Sequence, residues 1–273
     1  MAQAPTARNA PAKAQASVRT FTAQERETLR AELVEAARKD ARIIGAAHTG
    51  SAAVGLQDRW SDVDLALCLA PDASVEDVIQ SWSDRLYRDH GAVAHHDVRH
   101  GSTLFRVFLL RNTLQVDLGF WSSADFAPIG PKFKLIFGTP NAAPNIAVPN
   151  PANIIGMAWL YALHVRSSIA RNRKWQAEYM LSGLRNQLIE LVCLRCNLPA
   201  VQGRGVDDLP ENIKKLMSEC LLRSLDPSEL ARAFRATVLL LLDEIGSVDK
   251  AATESLSAPL KTLIGFDDHE EHR

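Results

Sequence analysis

The first half of the chain alternates between short apolar runs and longer segments in which apolar residues recur every three or four positions. Thr22, with Glu25 three residues later, has the pattern of a helix capping box, and Leu29 and Leu33 follow on one helix face. Short apolar runs bounded by glycine, proline and small polar residues predict strands. The predicted elements are helices at 22–38, 51–57 and 75–90, and strands at 41–48, 62–69, 92–99, 103–110 and 113–120.

The second half of the chain has a helical pattern. Apolar residues from Ile154 to Ile169 and from Ala177 to Leu191 recur at the spacing of one helix face. Further helices are predicted at 211–223 and 227–246. The chain is therefore predicted to have an α+β fold, in which an N-terminal lobe contains a mixed sheet and a C-terminal lobe is helical.

Changes in composition divide the chain into four predicted segments. Residues 1–20 are rich in alanine, proline and small polar residues, which is typical of a disordered leader. The α/β domain is predicted at 21–125 and the helical domain at 151–265. Between them, the proline-rich segment 126–150 is predicted to be an irregular linking loop. The charged residues after 265 are expected to be frayed.

Composition excludes several classes of function. The 273 residues carry a net charge of −1, so no basic field marks nucleic acid as a partner, and nucleic acid is not expected. No apolar run is long enough to cross a membrane, and no apolar core of a signal peptide follows the N-terminus. The four cysteines form no disulfide framework, which predicts free thiols and a cytoplasmic protein.

The candidate chemistry lies at the start of the predicted strand 62–69. Asp62 and Asp64 are two residues apart, so on a strand their side chains point to the same side. Two carboxylates held together are unfavourable unless a cation lies between them, and Mg²⁺ prefers such oxygen ligands together with substrate phosphates. The turn at Gly50 and Ser51 offers backbone N–H groups for those phosphates. Asp117 lies on the later strand 113–120, where the apolar side chains point to one face and Asp117 points to the other. It is the predicted third carboxylate.

These residues suit phosphoryl chemistry with two Mg²⁺ ions. Asp62 and Asp64 are predicted to hold both ions, and Asp117 to hold the ion nearer an acceptor hydroxyl and to take its proton. Gly50 and Ser51 are predicted to bind the β- and γ-phosphates of a nucleoside triphosphate. Two structural alternatives stay open: Asp62 as a turn or cap residue, and Asp117 in a salt bridge with Arg106.

The motif resembles that of the nucleotidyltransferase superfamily that includes DNA polymerase beta. That family has G-S-x-x-x-G, then [DE]-x-[DE], then a third acidic residue. The matching residues here are Gly50, Ser51, Gly55, Asp62, Asp64 and Asp117, and the motif covers about a quarter of the chain. The resemblance implies that residues 21–125 are the catalytic domain and that the helical domain closes over the nucleotide.

The segment from Arg166 to Arg185 resembles, more loosely, the helical lobe of the aminoglycoside and lincosamide adenylyltransferases of antibiotic resistance. The resemblance implies transfer of AMP from ATP to a hydroxyl of a small molecule. Glu178 is a candidate general base alongside Asp117, and which of the two acts stays open. The remaining candidate nucleotide-binding residues are Arg59, Lys174 and Arg185, although Glu178 and Arg185 also fit an ordinary ion pair on a solvated face.

Two other functions remain as alternatives. One is AMP transfer to a protein or an RNA. The other is a non-catalytic nucleotide-binding or antitoxin-like protein, although such a protein has no need for three converging carboxylates. The sequence leaves the acceptor, the preferred base and the oligomeric state open.

Overall fold

The protein is described here by a computed structural model covering residues 19–128, 130–145 and 149–265. Most of the predicted leader, at 1–18, and the charged tail, at 266–273, lie outside the described residues. The chain divides into two compact units, Met1–Ile146 and Ala147–Arg273. The assignment of a catalytic and a closing role to the two halves stays a prediction.

The N-terminal unit is built on a six-stranded mixed sheet, as predicted. The strand order is β3-β4-β5-β2-β1-β6, in which only the β2–β5 pair is parallel. Its elements are α1 (Ala23–Lys39), β1 (Ile43–Thr49), α2 (Gly50–Ala53), β2 (Val63–Leu69), α3 (Val75–Asp89), β3 (Ala92–His100), β4 (Thr103–Leu110), β5 (Gln115–Trp121) and β6 (Phe133–Phe137).

One face of the sheet carries the main hydrophobic core of this unit. The predicted capping box of α1 is present, with Thr22 and Glu25 exchanging hydrogen bonds. Apolar residues of α1 and α3, such as Leu33 and Trp82, pack with alternate residues of the strands, and each buried leucine contributes about 2 kcal/mol. The other face has a smaller cluster made of Ala47, Ala66, Cys68, Trp121 and Phe126. Polar side chains near the start of β2 and β5 can therefore lie on that second face.

Strand β6 corrects the prediction of an irregular loop between the two lobes. It pairs antiparallel with β1 at the edge of the sheet. The run Phe133–Phe137 is only five residues long, has proline close by on both sides and is half exposed, so it lacks the continuous apolar pattern of a buried strand.

The C-terminal unit is helical, as predicted. Its helices are α4 (Pro151–Ala170), α5 (Lys174–Arg195), α6 (Glu211–Ser218), α7 (Pro227–Val248) and α8 (Lys250–Ile264). The apolar stripes of α4, α5 and α7 form one core that includes Ala162, Leu184 and Leu241. Helix α8 was not predicted; its sequence includes Pro259 and only Leu260 is fully buried. Within the described ranges, every helix is too short or too polar to cross a bilayer.

Candidate metal and nucleotide site

The parallel pairing of β2 with β5 brings the three predicted aspartates together. Asp64 and Asp117 are direct partners in the register of this pair, and Asp62 precedes β2 by one residue. Their neighbours Val63 and Val116 point into the helix-covered core, so both carboxylates point to the opposite face. One carboxylate oxygen from each of the three aspartates lies within 4.8 Å of the others, which makes this a candidate metal site among the described residues.

The electrostatics of the three carboxylates match those of a cation site. Burial, and then the carboxylates of Asp62 and Asp117, raise the pKa of Asp64 to about 8. Burial also raises the pKa of Asp117 to about 6, against the opposing effect of the Gln115 amide, which donates to both of its oxygens at 3.0 and 3.1 Å. A divalent cation between these oxygens would relieve both the burial and the repulsion.

The sequence left open a salt bridge between Asp117 and Arg106, and the structure contradicts it. Arg106 donates instead to both oxygens of Asp97, at 2.6 and 2.7 Å, and to Ser83 at 2.8 Å. In the β4–β5 register Arg106 lies opposite Leu118, on the helix-covered face of the sheet. Asp117 points to the other face and therefore does not have this structural role.

The Gly-Ser turn lies directly against Asp64. Gly50 follows the last residue of β1 and has a φ of +61°, a conformation that favours glycine. A Cβ atom at this position would overlap the Asp64 carboxylate. Ser51 is the next residue, in the short helix α2, and its carbonyl accepts from the N–H groups of Val54 and Leu56. Glycine is thus required at position 50 for two reasons: the positive φ of the turn, and the Asp64 carboxylate, which occupies the place of a Cβ atom.

A buried arginine fixes the loop that leads into Asp62. Arg26 of α1 is 3% exposed, and its guanidinium donates to the carbonyl oxygens of Asp58 and Ser61. Its other nitrogens donate to Glu27 at 3.0 and 3.1 Å. Sequence reasoning missed Arg26, although it shares the three-to-four spacing of the buried stripe at Leu29 and Leu33. A charged residue on an apolar helix face was the available signal.

Arg59 and Trp60 lie in this loop, immediately before the aspartates. The guanidinium of Arg59 lies over the Trp60 ring, 4.6 Å from its centroid, and both side chains are exposed. The backbone N–H of Trp60 donates to Asp58 at 2.8 Å, which fixes the backbone of the loop. Arg59 therefore lies in the loop that leads into Asp62, and its contact with a phosphate stays a prediction. Trp60 had not been singled out from the sequence.

The other three candidate residues belong to α5 of the C-terminal unit. Lys174 is the first residue of the helix and is exposed. Glu178 accepts from the Ser182 hydroxyl at 2.7 Å, and Arg185 donates to the same hydroxyl at 2.8 Å and to the carbonyl of Cys220 at 3.3 Å. The shared helix face that the sequence predicts is thus a hydrogen-bonded row. Roles for Lys174, Glu178 and Arg185 in binding or catalysis stay predictions.

Comparison with known proteins gives matches to solved structures. No family model matches the chain, and no curated protein matches it. One solved structure that matches is an aminoglycoside 6-adenyltransferase from Bacillus subtilis, 12% identical over 88% of this chain and 98% of that chain, with a TM-score of 0.41. Another is a GLD-2/RNP-8 complex, 11% identical over 81% of this chain and 69% of that chain, with a TM-score of 0.28.

Both TM-scores lie below 0.5, so the interpretation of the fold rests on this chain's own topology. In the N-terminal unit, the Gly-Ser turn after β1, the aspartates at the start of β2 and the third aspartate on β5 meet at one end of three neighbouring strands of the mixed sheet. This agrees with what the sequence motif predicts.

Proposed function

We propose that this protein is a nucleotidyltransferase that transfers a nucleoside monophosphate, with AMP from ATP as the leading case, to a hydroxyl of a small molecule. The observation that carries the proposal is the convergence of Asp62, Asp64 and Asp117 within 4.8 Å, beside a glycine turn that only glycine can form. A purely structural role does not account for three half-buried carboxylates placed together, with no basic side chain of the described residues in hydrogen-bond distance.

The donor set fits Mg²⁺. Three carboxylates supply hard oxygen ligands, and the raised pKa values of Asp64 and Asp117 reflect a charge that a cation would compensate. Asp62 and Asp64 would hold two ions between them, and Asp117 would hold the ion nearer the acceptor. When bound, Mg²⁺ would neutralise phosphate charge and stabilise the attacking and leaving oxygens.

The chain's own residues then position the reactants. The backbone N–H groups of Gly50 and Ser51, with the Ser51 hydroxyl, bind the β- and γ-phosphates at the end of β1. The acceptor oxygen forms a bond to the α-phosphorus as the bond to the bridging oxygen of the β-phosphate breaks, and pyrophosphate leaves. The hydroxyl proton passes to a carboxylate, for which Asp117 is the first candidate and Glu178 the second.

Asp117 is the first candidate for the base because its carboxylate lies with those of Asp62 and Asp64, where the acceptor hydroxyl is proposed to bind. Arg59, Lys174 and Arg185 are proposed to contact the triphosphate. The side chains of Arg59 and Lys174 are exposed and can therefore turn toward a ligand.

Pyrophosphate release tests this proposal directly. The protein is incubated with Mg²⁺, each nucleoside triphosphate in turn and a panel of hydroxylated compounds that includes aminoglycosides and lincosamides. We expect turnover with at least one acceptor, lost in Asp64→Asn and retained in Asp72→Asn, which alters an exposed carboxylate in the turn after β2. Labelling of a protein or RNA would favour another acceptor class. Triphosphate binding without any turnover would overturn the enzymatic proposal.

A further inference from the structure

A cavity of about 230 Å³ opens beside the three aspartates, wholly within the N-terminal unit. Asp62 and Gln115 line it, and Gln115 is the residue that donates to Asp117. The other lining residues are Arg59 and Trp60, from the loop before β2, together with Thr20, Phe21 and Thr113. The cavity therefore adjoins the candidate metal ligands without belonging to the Gly-Ser turn.

The walls of this cavity are fixed by hydrogen bonds. Arg26 and Asp58 hold the backbone of the loop that carries Trp60, as described above. The N–H group of Phe21 donates to the carbonyl of Asn112, at 2.9 Å, in the turn between β4 and β5. Trp60 is nevertheless 71% exposed. The indole is thus held beside the cavity by a fixed loop, contributes little to the core and is available to stack on a ligand.

The order of the strands places the cavity on the side from which an acceptor would approach. In the sheet, β2 lies between β1 and β5. The turn at Gly50 follows β1, whereas Gln115 and Thr113 belong to the start of β5. In nucleotidyl transfer the attacking and leaving oxygens lie roughly in line on opposite sides of the phosphorus. If the turn binds the leaving pyrophosphate, the hydroxyl must come from the β5 side.

The lining of the cavity also restricts the chemistry of the acceptor. Trp60 offers a stacking surface, and Gln115 and Thr113 offer hydrogen bonds to uncharged polar groups. Arg59, which is proposed above to contact the triphosphate, also lines the cavity as a cation, and the carboxylate that lines it, Asp62, is assigned to the metal. A polycationic acceptor would meet the like charge of Arg59 without a carboxylate of its own to pair with.

We propose that this cavity is the acceptor subsite and that it takes an uncharged compound with a planar ring and a nearby hydroxyl. The proposal rests on the nucleotidyltransferase function proposed above and goes beyond it by naming the acceptor class. Trp60 stacks on the ring, and Gln115 and Thr113 bind its polar groups. The hydroxyl then points toward Asp117 across the candidate metal site.

Kinetics of Trp60 variants test the subsite. The acceptors are phenyl β-glucoside and uridine, which are uncharged and each carry a planar ring, and the polycation kanamycin. We expect the wild-type protein to use the uncharged acceptors in preference to kanamycin. Trp60→Ala should raise KM for the acceptor by about tenfold or more and leave KM for ATP unchanged, while Trp60→Phe retains most of the affinity. Trp175→Ala is the matched control, because Trp175 is 77% exposed and does not line the cavity.

A rise in KM for ATP instead of the acceptor would overturn the proposal, since Trp60 would then bind the nucleotide. Preference for kanamycin, unaffected by Trp60→Ala, would overturn it as well. If the wild-type protein releases no pyrophosphate with any acceptor, the proposed function fails. The acceptor subsite is then tested separately, by a binding measurement. The indole resonance of Trp60, assigned with Trp60→Phe, should then shift when phenyl β-glucoside is added with Mg²⁺ and a non-hydrolysable ATP analogue. No shift overturns the subsite.

Discussion

Replacing Asp64 with asparagine should stabilise the metal-free protein while removing its activity. In the folded chain the pKa of Asp64 is raised from 3.8 to about 8, chiefly by burial and then by Asp62 and Asp117. A carboxyl with a raised folded-state pKa stabilises the fold below pH 3.8, and this stabilisation is lost as the pH rises toward 8. At pH 8 and above, the wild-type protein therefore carries a charge that opposes folding, whereas the neutral amide of the Asp64→Asn variant does not.

The size of the effect follows from the shift. At about 1.4 kcal/mol for each pKa unit, the full rise corresponds to roughly 6 kcal/mol. Asp64 is half-buried and interacts with Asp62, so structural relaxation and solvent screening reduce this figure. We expect Asp64→Asn to raise the free energy of unfolding by about 2 kcal/mol. For a unit of this size, a gain of that magnitude raises the thermal midpoint by about 4–8 °C.

Thermal unfolding with a chelator present, at pH 8 and at pH 4, measures this gain. We expect Asp64→Asn to unfold at a higher temperature than the wild-type protein at pH 8, and the difference to shrink at pH 4. Added Mg²⁺ should raise the midpoint of the wild-type protein but not that of Asp64→Asn. The control Asp72→Asn keeps the three aspartates, so it should unfold like the wild-type protein at both pH values and gain as much from Mg²⁺. An Asp64→Asn variant that is no more stable than the wild-type protein at pH 8 would refute the reasoning about buried, repelling carboxylates.

Two further substitutions test the surroundings of the aspartates. Gly50→Ala should abolish the Mg²⁺ binding that calorimetry measures, because the added Cβ would displace the Asp64 carboxylate. Gly55 is the control, since it also has a positive φ but lies in open space. Gly55→Ala should cost only about 1–2 kcal/mol of stability, from backbone strain. Arg26→Met should destabilise the fold by about 3 kcal/mol in urea unfolding and lower kcat, since buried Arg26 donates to the loop before Asp62. Wild-type Mg²⁺ affinity in Gly50→Ala, or wild-type stability in Arg26→Met, would contradict these assignments.

The aspartates could be predicted from the sequence because their signals are local. The spacing of Asp62 and Asp64 places both on one side of a strand, and the alternation around Asp117 places it opposite to the core face. The faces of Asp64 and Asp117 are confirmed, whereas Asp62 lies one residue before β2 and its carboxylate is close to the other two. The register that sets Asp64 directly beside Asp117 is not local, because it depends on a parallel pairing between strands that are about fifty residues apart along the chain.

The features that were missed depend on tertiary contacts. Strand β6 has a weak apolar pattern because it lies at the sheet edge, where half of its surface stays exposed. Arg26 is buried only because the loop before Asp62 supplies carbonyl groups for its guanidinium. The cavity beside Trp60 is formed by the loop before β2 and the start of β5, which the chain brings together only on folding. The charged residue on the apolar face of α1 was a local signal for Arg26, but it could not indicate the carbonyl groups that Arg26 contacts.

Asp64 and Gly50 are explained together by a binding site rather than by the needs of folding. Asp64 is a carboxylate with a strongly raised pKa, and position 50 has to be glycine because a side chain there would overlap this carboxylate. Elsewhere in the same sheet, charged groups such as Asp97 and Arg106 are paired. Three carboxylates that lie together without an ion pair among the described residues oppose folding in the metal-free protein, and unfavourable groups of this kind are typical of functional sites. In the function proposed above, the turn and the carboxylates bind the triphosphate on the β1 side, and the indole of Trp60 binds the acceptor on the β5 side.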